Sequence, residues 1–512
     1  RLTDNPALAA ATGAGGPVVC VYIRETGLAG ARAMGGASKW WLDKSLKALA
    51  AALEARGGRL VLRTGPAEAV IRSMAAETGA RSVVWNRRYG EPEKSHDATL
   101  KATLKAAGLT VQSFNARLLM EPWELKTGSG GYYRVFTPFW RALRANYVPP
   151  PALPAPPHVE TIKVESEALE DWRLHPSAPD WSTGFTDSWT PGEQGAQARL
   201  AAFLEGPVNG YAETRNRPDI ATSTSRLSPH LRFGEIGPAQ IWRAVTAGIA
   251  AGWIDERNAE VFLSEISWRE FSHVLLNFNP DLARKNYNPN FDRMPWRKDA
   301  ATLRAWQSGM TGYPMVDAGM RELWHTGWMH NRVRMIVASF LTKHLLLPWQ
   351  AGEDWFWDTL LDADPAANAA SWQWTAGSGA DAAPYFRVFN PITQGSKFDE
   401  TGAYVRKWCP ELGKLPDKFL HAPFDAPDAV LKTAGVTLGK TYPKPVVDHS
   451  SARERALDAY KKSRRRNDED CHHRIRHFGA RRSLGLARHS GRHRVRTGRP
   501  SGRARVYAHL RL

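Results

Sequence analysis

The spacing of apolar positions changes several times along the chain, and the changes divide it. In the first 125 residues, short apolar runs alternate with helical spacing. Val18-Val19-Cys20-Val21-Tyr22-Ile23, Leu60-Val61-Leu62 and Ser82-Val83-Val84-Trp85 read as buried parallel strands, with helices over Ser45–Arg56 and Ala67–Thr78 between them. Strands separated by helices predict an α/β layer. No Gly-x-Gly-x-x-Gly run follows any strand, and Thr127-Gly128-Ser129-Gly130-Gly131 lacks the lysine of a P-loop, which speaks against a nucleotide-phosphate site in this part. Nothing strand-like precedes Asn5-Pro6-Ala7-Leu8, so the α/β layer is expected to lack its first strand.

Prolines then interrupt the pattern. Val148-Pro149-Pro150-Pro151, continued by Pro154, Pro156 and Pro157, excludes helix and central strand, because each proline removes a donor and fixes φ. From Gln197 to Tyr460 the apolar residues recur at three- and four-residue spacing, which predicts helices over Ala239–Ala250, Asn258–Leu276, Pro314–Thr326, Met329–Leu346 and Asp354–Leu361. The expected organisation is an α/β domain over 1–125, a connector over 126–196, an all-α domain over 197–460 and an Arg-rich tail over 461–512.

Composition supports more than one core: 512 residues exceed a single typical domain. No run of about 18 apolar residues suggests a membrane span, and the first residues lack the order of a secretory leader, so a cytoplasmic protein is expected. Cys20, Cys409 and Cys471 are scattered, giving neither a disulfide framework nor a zinc cluster, and no metal is expected. The net charge of +18 is unevenly spread: residues 461–512 hold 17 Lys and Arg against 3 Asp and Glu, which leaves the first 460 residues near +4. That tail reads as a disordered nucleic-acid-binding arm or as a translation of a shifted frame, and function is not rested on it.

Tryptophan is abundant, with 21 in the chain and 11 between Trp253 and Trp374. A large aromatic core would account for many of them. Four polar strings near them ask for more. Thr224-Ser225-Arg226-Leu227-Ser228-Pro229-His230-Leu231 puts hydroxyls and amides ahead of a helix, which suits an anion as well as an ordinary N-cap. Glu265-Ile266-Ser267-Trp268-Arg269-Glu270-Phe271 sets a carboxylate and an indole on one helix face, able to hold a base edge and stack on it. Met329-His330-Asn331-Arg332-Val333-Arg334-Met335 shows Asn331 and Met335 on one face and arginines on others. Asp362-Ala363-Asp364-Pro365-Ala366-Ala367-Asn368 precedes Ser371-Trp372-Gln373-Trp374, and its aspartates suit a pairing of Asp362 with Arg334 better than a metal.

In this order the strings resemble the photolyase/cryptochrome family, most closely its class I cyclobutane pyrimidine dimer photolyases, over about Arg1 to Tyr460. The resemblance implies a Rossmann-like α/β antenna domain, a long connector and an all-α domain that holds FAD. It places Tyr211, Thr224, Ser225, Arg226, Leu227, Ser228, Phe262, Arg269, Asn331, Arg334, Asp362, Ala363, Asp364 and Asn368 around the cofactor, Phe262 standing where some relatives have tryptophan. Asn368 falls opposite flavin N5, where plant cryptochromes carry aspartate. Trp372, Trp349 and Trp296 match an electron-transfer triad. Arg215, Glu265, Trp268, Asn331, Arg332, Met335, Trp374 and Arg387 fall on the side that takes damaged DNA.

The implied reaction is light-dependent: reduced FAD donates an electron to a flipped pyrimidine dimer, both cyclobutane bonds open and the electron returns. Photolyases are a known case of base flipping, helped here because a dimer pairs and stacks poorly in the duplex. For a second, antenna chromophore the resemblance leaves methenyltetrahydrofolate, a deazaflavin or none, with Asn86, Tyr89 and Glu93 in the stretch where relatives bind folate and Pro92 where a pterin-binding relative can have Asn. The expected partner is ultraviolet-damaged DNA and the expected state a monomer. A cryptochrome-type blue-light photoreceptor shares the fold and the tryptophans; Asn368 and the intact dimer-side residues favour repair. A light-independent nucleic-acid-binding protein would be colourless.

Overall fold

Asn5-Pro6 starts the first helix: the Asn5 side chain accepts from the Leu8 amide and Pro6 supplies a helical φ at the first turn. The computed structural model describes residues 1–382 and 386–463; the Arg-rich stretch beyond 463 lies outside the described residues. After α1 (Pro6–Gly13) come β1 (Cys20–Glu25), α2 (Gly36–Glu54), β2 (Leu60–Gly65), α3 (Ala67–Thr78), β3 (Ser82–Asn86), α4 (Glu93–Ala106) and β4 (Thr110–Phe114). This is the expected alternation, with three additions, one of them α1, which buries only Ala7 and Leu8. Strand β4 and helix α4 were not anticipated, because Thr110-Val111-Gln112-Ser113-Phe114 is half polar and α4 buries only Leu100 and Leu104. Helix α2 begins at Gly36 rather than Ser45, since Trp40 and Trp41 turn inward and extend its apolar face.

The strands form two parallel pairs, β1 with β2 (Val21 opposite Val61) and β3 with β4 (Val84 opposite Gln112). Among the described residues β1 and β3 share no ladder. A cavity of about 1090 Å³ lies there, lined by Tyr22, Leu46, Val84, Trp85 and Arg88.

The segment expected as a connector is more than a linker. It carries α5 (Phe136–Asn146), whose buried Phe139 packs against Phe271 of the helical domain. Its proline run is extended and returns Val159 to the α/β layer, where it is fully buried. The helical part follows as α6 (Thr183–Ser188), α7 (Glu193–Leu204), α8 (Tyr211–Thr214), α9 (Ser228–Phe233), α10 (Pro238–Ala250), α11 (Glu256–Phe278), α12 (Ala300–Gln307), α13 (Pro314–Thr326), α14 (Asn331–Ser339), α15 (Trp349–Thr359) and α16 (Ala367–Ala376), before the shorter C-terminal helices. The helix expected over Met329–Leu346 stops being α at Ser339 and continues as a π turn, Phe340–His344.

Two apolar cores hold these helices. One gathers Trp242, Phe262, Phe271 and Phe139 around α5, α10 and α11; the other gathers Trp306, Val316, Phe340, Trp349 and Trp372 around α12 to α16. Helix α16 serves both, with Ala369 in the first and Trp372 in the second. The polar strings read from the sequence lie on the elements that meet between the cores.

Candidate functional site

Helix α14 has two working faces. His330 caps it, accepting from the Arg332 amide at 3.2 Å, and burial together with Arg332 and Arg334 pushes its imidazole down to about 3. On the inner face Arg334 closes a fork on Asp362, Nη1 to Oδ1 at 3.0 Å and Nη2 to Oδ2 at 2.8 Å, and its Nε donates to Met329 O at 2.7 Å. On the outer face Arg332 and Met335 line a groove of about 560 Å³ with Asn216, Arg387, Lys397 and Phe398. Asn331 opens the helix and is exposed.

Most of the residues expected around a cofactor are buried or half-buried. Tyr211, Leu227, Phe262, Asp362, Ala363, Asp364 and Asn368 are buried, and Thr224, Ser225 and Ser228 are half-buried. Tyr211 and Phe262 meet edge to face at 5.4 Å. Burial alone would raise the Asp364 carboxyl, but His273 at 3.5 Å, Arg269 and Arg232 draw it well below the usual range. Arg269 donates to Arg117 O and to Glu270, and Arg232 donates to Ala363 O at 2.6 Å. Glu270, fully enclosed, accepts from the Leu119 amide, and burial pushes it up to about 7.

The Arg226 guanidinium is held between the rings of Trp189 and Trp328, at 4.6 and 4.7 Å from their centroids, on a backbone with φ of 51°. Two indole faces attract a cation through their ring quadrupoles. Its Nε, like Arg269 Nη2, is buried with no hydrogen-bond acceptor among the described residues. Orphaned cationic donors beside buried aromatics suit a large, anionic, aromatic group, and FAD fits that description.

The outer face brings the expected substrate residues together with partners of their own. Arg215 forms a close ion pair with Glu265, so the cation expected on a phosphate and the carboxylate expected on a base edge hold each other. Trp268 stacks on Phe136 at 3.8 Å and 9°. Arg332 donates to Asn216 Oδ1 and lies over Phe398. Arg387 lies over Phe389, and Trp374 is half-buried.

Of the three expected relay indoles, Trp372 and Trp349 are buried, and Trp296 is half-buried in a separate cluster with Phe291, Phe386 and Tyr460. Trp349 Nε1 donates to Asn286 at 2.8 Å. Helices α15 and α16 approach closely because position 352 is glycine: a Cβ there would come 2.1 Å from the Trp372 ring. Trp372 also meets Trp306 at 6.1 Å, a ring the sequence reading left in the core. In the first domain Glu93 opens α4, Asn86 donates to Asn5, and Tyr89 is buried against His273.

Two residues that shape the site were missed. Glu353 accepts from Asn368, and Arg32 pairs with Glu353. The available signal was an acidic residue beside Gly352 on an otherwise inward-facing stretch of α15.

Comparison with known proteins follows the same division. Residues 1–157 match the DNA photolyase family and residues 262–462 match the FAD binding domain of DNA photolyase. A deoxyribodipyrimidine photo-lyase of Agrobacterium fabrum is 55% identical over 462 residues, 90% of this chain and 95% of that protein. Cryptochrome-2 of Arabidopsis thaliana is 39% identical over 478 residues, 91% of this chain and 78% of that protein. The solved structure of a bacterial class III photolyase from Agrobacterium tumefaciens superimposes with a TM-score of 0.88 at 55% identity, covering 91% of this chain and 96% of that one.

Proposed function

The chain belongs to the photolyase/cryptochrome family, and from that premise we propose that it is a light-dependent DNA repair enzyme, a deoxyribodipyrimidine photo-lyase acting on cyclobutane pyrimidine dimers. The observation that carries this reading is the double duty of α14, which turns Arg334 onto Asp362 inside and Arg332 and Met335 onto an open basic groove outside. A buried redox site and a nucleic-acid surface then share one helix. Because the solved relative at 55% identity is a class III photolyase, we assign the chain to class III and not to the class I type that the motifs suggested.

Reduced FAD, when bound, supplies the electron that opens the two cyclobutane bonds and takes it back. The protein's own groups prepare that exchange. Arg334, neutralised in part by Asp362, sets a fixed positive charge beside the cofactor and favours its anionic form. Asn368, buried and tied to Glu353, would face the flavin ring. Trp372 and Trp349, buried behind the site, would keep water from it and, with Trp296, would offer a path for electrons.

On the outer face Trp268, braced by Phe136, offers an indole to the flipped dimer and Trp374 closes the other side. Glu265 exchanges its tie to Arg215 for a base edge, which frees Arg215 for a phosphate. Arg332 and Arg387 hold the backbone. Glu93, at the start of α4, would help hold an antenna chromophore, methenyltetrahydrofolate or a deazaflavin, and the enzyme works as a monomer.

In the dark, the protein should bind ultraviolet-irradiated oligothymidine about 10³-fold more tightly than the unirradiated strand. Trp268→Ala should weaken that binding by about 1–3 kcal/mol through lost stacking. Equal affinity for irradiated and plain DNA would contradict the reading.

A further inference from the structure

The α/β domain touches the flavin-facing asparagine through two side chains. Arg32, on the loop between β1 and α2, donates to Glu353 Oε1 at 2.7 Å and to Asp354 Oδ1 at 2.6 Å, with its guanidinium 4.3 Å from the centroid of Trp357. The loop is seated firmly on α15. Trp357 Nε1 donates to Ala33 O at 2.8 Å, the Gly36 amide donates to Asp358 at 2.8 Å, and a Cβ on Gly35 would come 2.2 Å from the Trp357 carbonyl oxygen. Glu353 is buried, its side chain 1% exposed. Its Oε1 accepts from Asn368 Nδ2 at 2.8 Å and its backbone carbonyl accepts from the same nitrogen at 3.1 Å.

Both amide hydrogens of Asn368 are therefore spent on Glu353. A backbone carbonyl is an acceptor whatever the protonation state of the carboxyl, so chemistry alone turns Nδ2 toward Glu353. Oδ1 is left as the atom offered to the other side. We propose that Arg32 is a positioning residue for the cofactor: through Glu353 it locks the Asn368 amide with Oδ1 outward, so that the site prefers a flavin carrying a proton on the facing nitrogen. Reduced flavin has that N–H, and oxidised flavin presents a bare acceptor that Oδ1 repels.

The ion pair matters because burial pushes the Glu353 carboxyl up and Arg32 opposes that shift. An ionised Glu353 polarises the amide and strengthens Oδ1 as an acceptor. With Arg32 removed, Glu353 gains a proton or turns away, and the amide loses the stronger of its two anchors. The inference rests on Asn368 being the flavin-facing residue.

The test uses the purified holoprotein, poised against a reference dye couple, and reads the ratio of reduced to oxidised flavin from visible absorption. Arg32→Met should lower that ratio by about three- to tenfold at a fixed poise, Arg32→Lys should restore most of it, and Asp354→Asn, which removes only the exposed partner, should leave it unchanged. Flavin content and unfolding temperature are measured alongside. An unchanged ratio in flavin-loaded Arg32→Met, with Asn368→Ala still lowering it, would overturn the relay and leave the site assignment standing. No response to Asn368→Ala would overturn the assignment itself. Should Arg32→Met not retain flavin, Glu353→Gln removes at constant shape the carboxylate charge that Arg32 sustains, and an unchanged ratio there would equally overturn the relay.

Discussion

Arg334 spends both arms on Asp362 and its Nε on the Met329 carbonyl, so its guanidinium has one available geometry. Replacing it with methionine leaves Asp362, a side chain 4% exposed, without its charged partner. We expect Arg334→Met to lose about 1.5–3 kcal/mol in denaturant unfolding and to shed flavin on gel filtration; wild-type flavin retention would contradict the role given to the pair. This pairing was legible in the sequence because two arginines and two aspartates of suitable chemistry sat in strings already under suspicion. Arg32 and Glu353 were not legible. They lie 321 positions apart, no periodicity relates them, and only the docking of a loop on α15 makes them neighbours. The indoles that hold Arg226 were not legible for the same reason, because Trp189 and Trp328 lie far from it in sequence or on another element.

The helices of the second domain were read well where one face is apolar over several turns, as in α13, whose bounds at Pro314 and Thr326 match the pattern. Reading failed where burial on all sides hides the period, as at Phe340–His344. There Lys343 is fully buried and donates to Thr375 O at 2.7 Å and Ala376 O at 3.0 Å, tying the π turn to the end of α16. Burial pushes this ammonium down to about 7 from an ordinary 10.5. Between those values the native state holds fewer protons than the unfolded chain, so stability must rise with pH across the window, and below it folding carries the cost of burying a charge. Unfolding free energies measured from pH 7 to 9.5 should climb more steeply for the parent than for Lys343→Met; parallel curves would contradict the neutral-lysine account. The contact of α15 with α16 has a simpler test. Gly352→Ala should cost about 1–3 kcal/mol by overpacking against Trp372 and should slow photoreduction of the bound flavin, as followed by its visible absorption. An unchanged rate would remove Trp372 from the relay.

At the scale of the whole molecule, the α/β layer and the helical part were both anticipated, but the boundary between them was drawn too simply. Phe136 and Phe139 of the supposed connector belong to the helical core, because a proline run downstream says nothing about the residues before it. Charge is the other global property. With 17 basic residues in 461–512 and a body near +4, removal of 464–512 should flatten the salt dependence of binding to undamaged DNA while leaving flavin content intact. A salt slope unchanged by truncation would show that the tail does not engage phosphates. The central claim, light-driven splitting of pyrimidine dimers, is tested most directly by photoreducing the purified protein, adding ultraviolet-irradiated oligothymidine and recording the absorption spectrum before and after blue light. The account predicts that the ultraviolet absorbance of intact thymine returns while the flavin bands are unchanged. Flavin bands without any return of thymine absorbance would contradict it and move the protein toward the photoreceptor branch of its family.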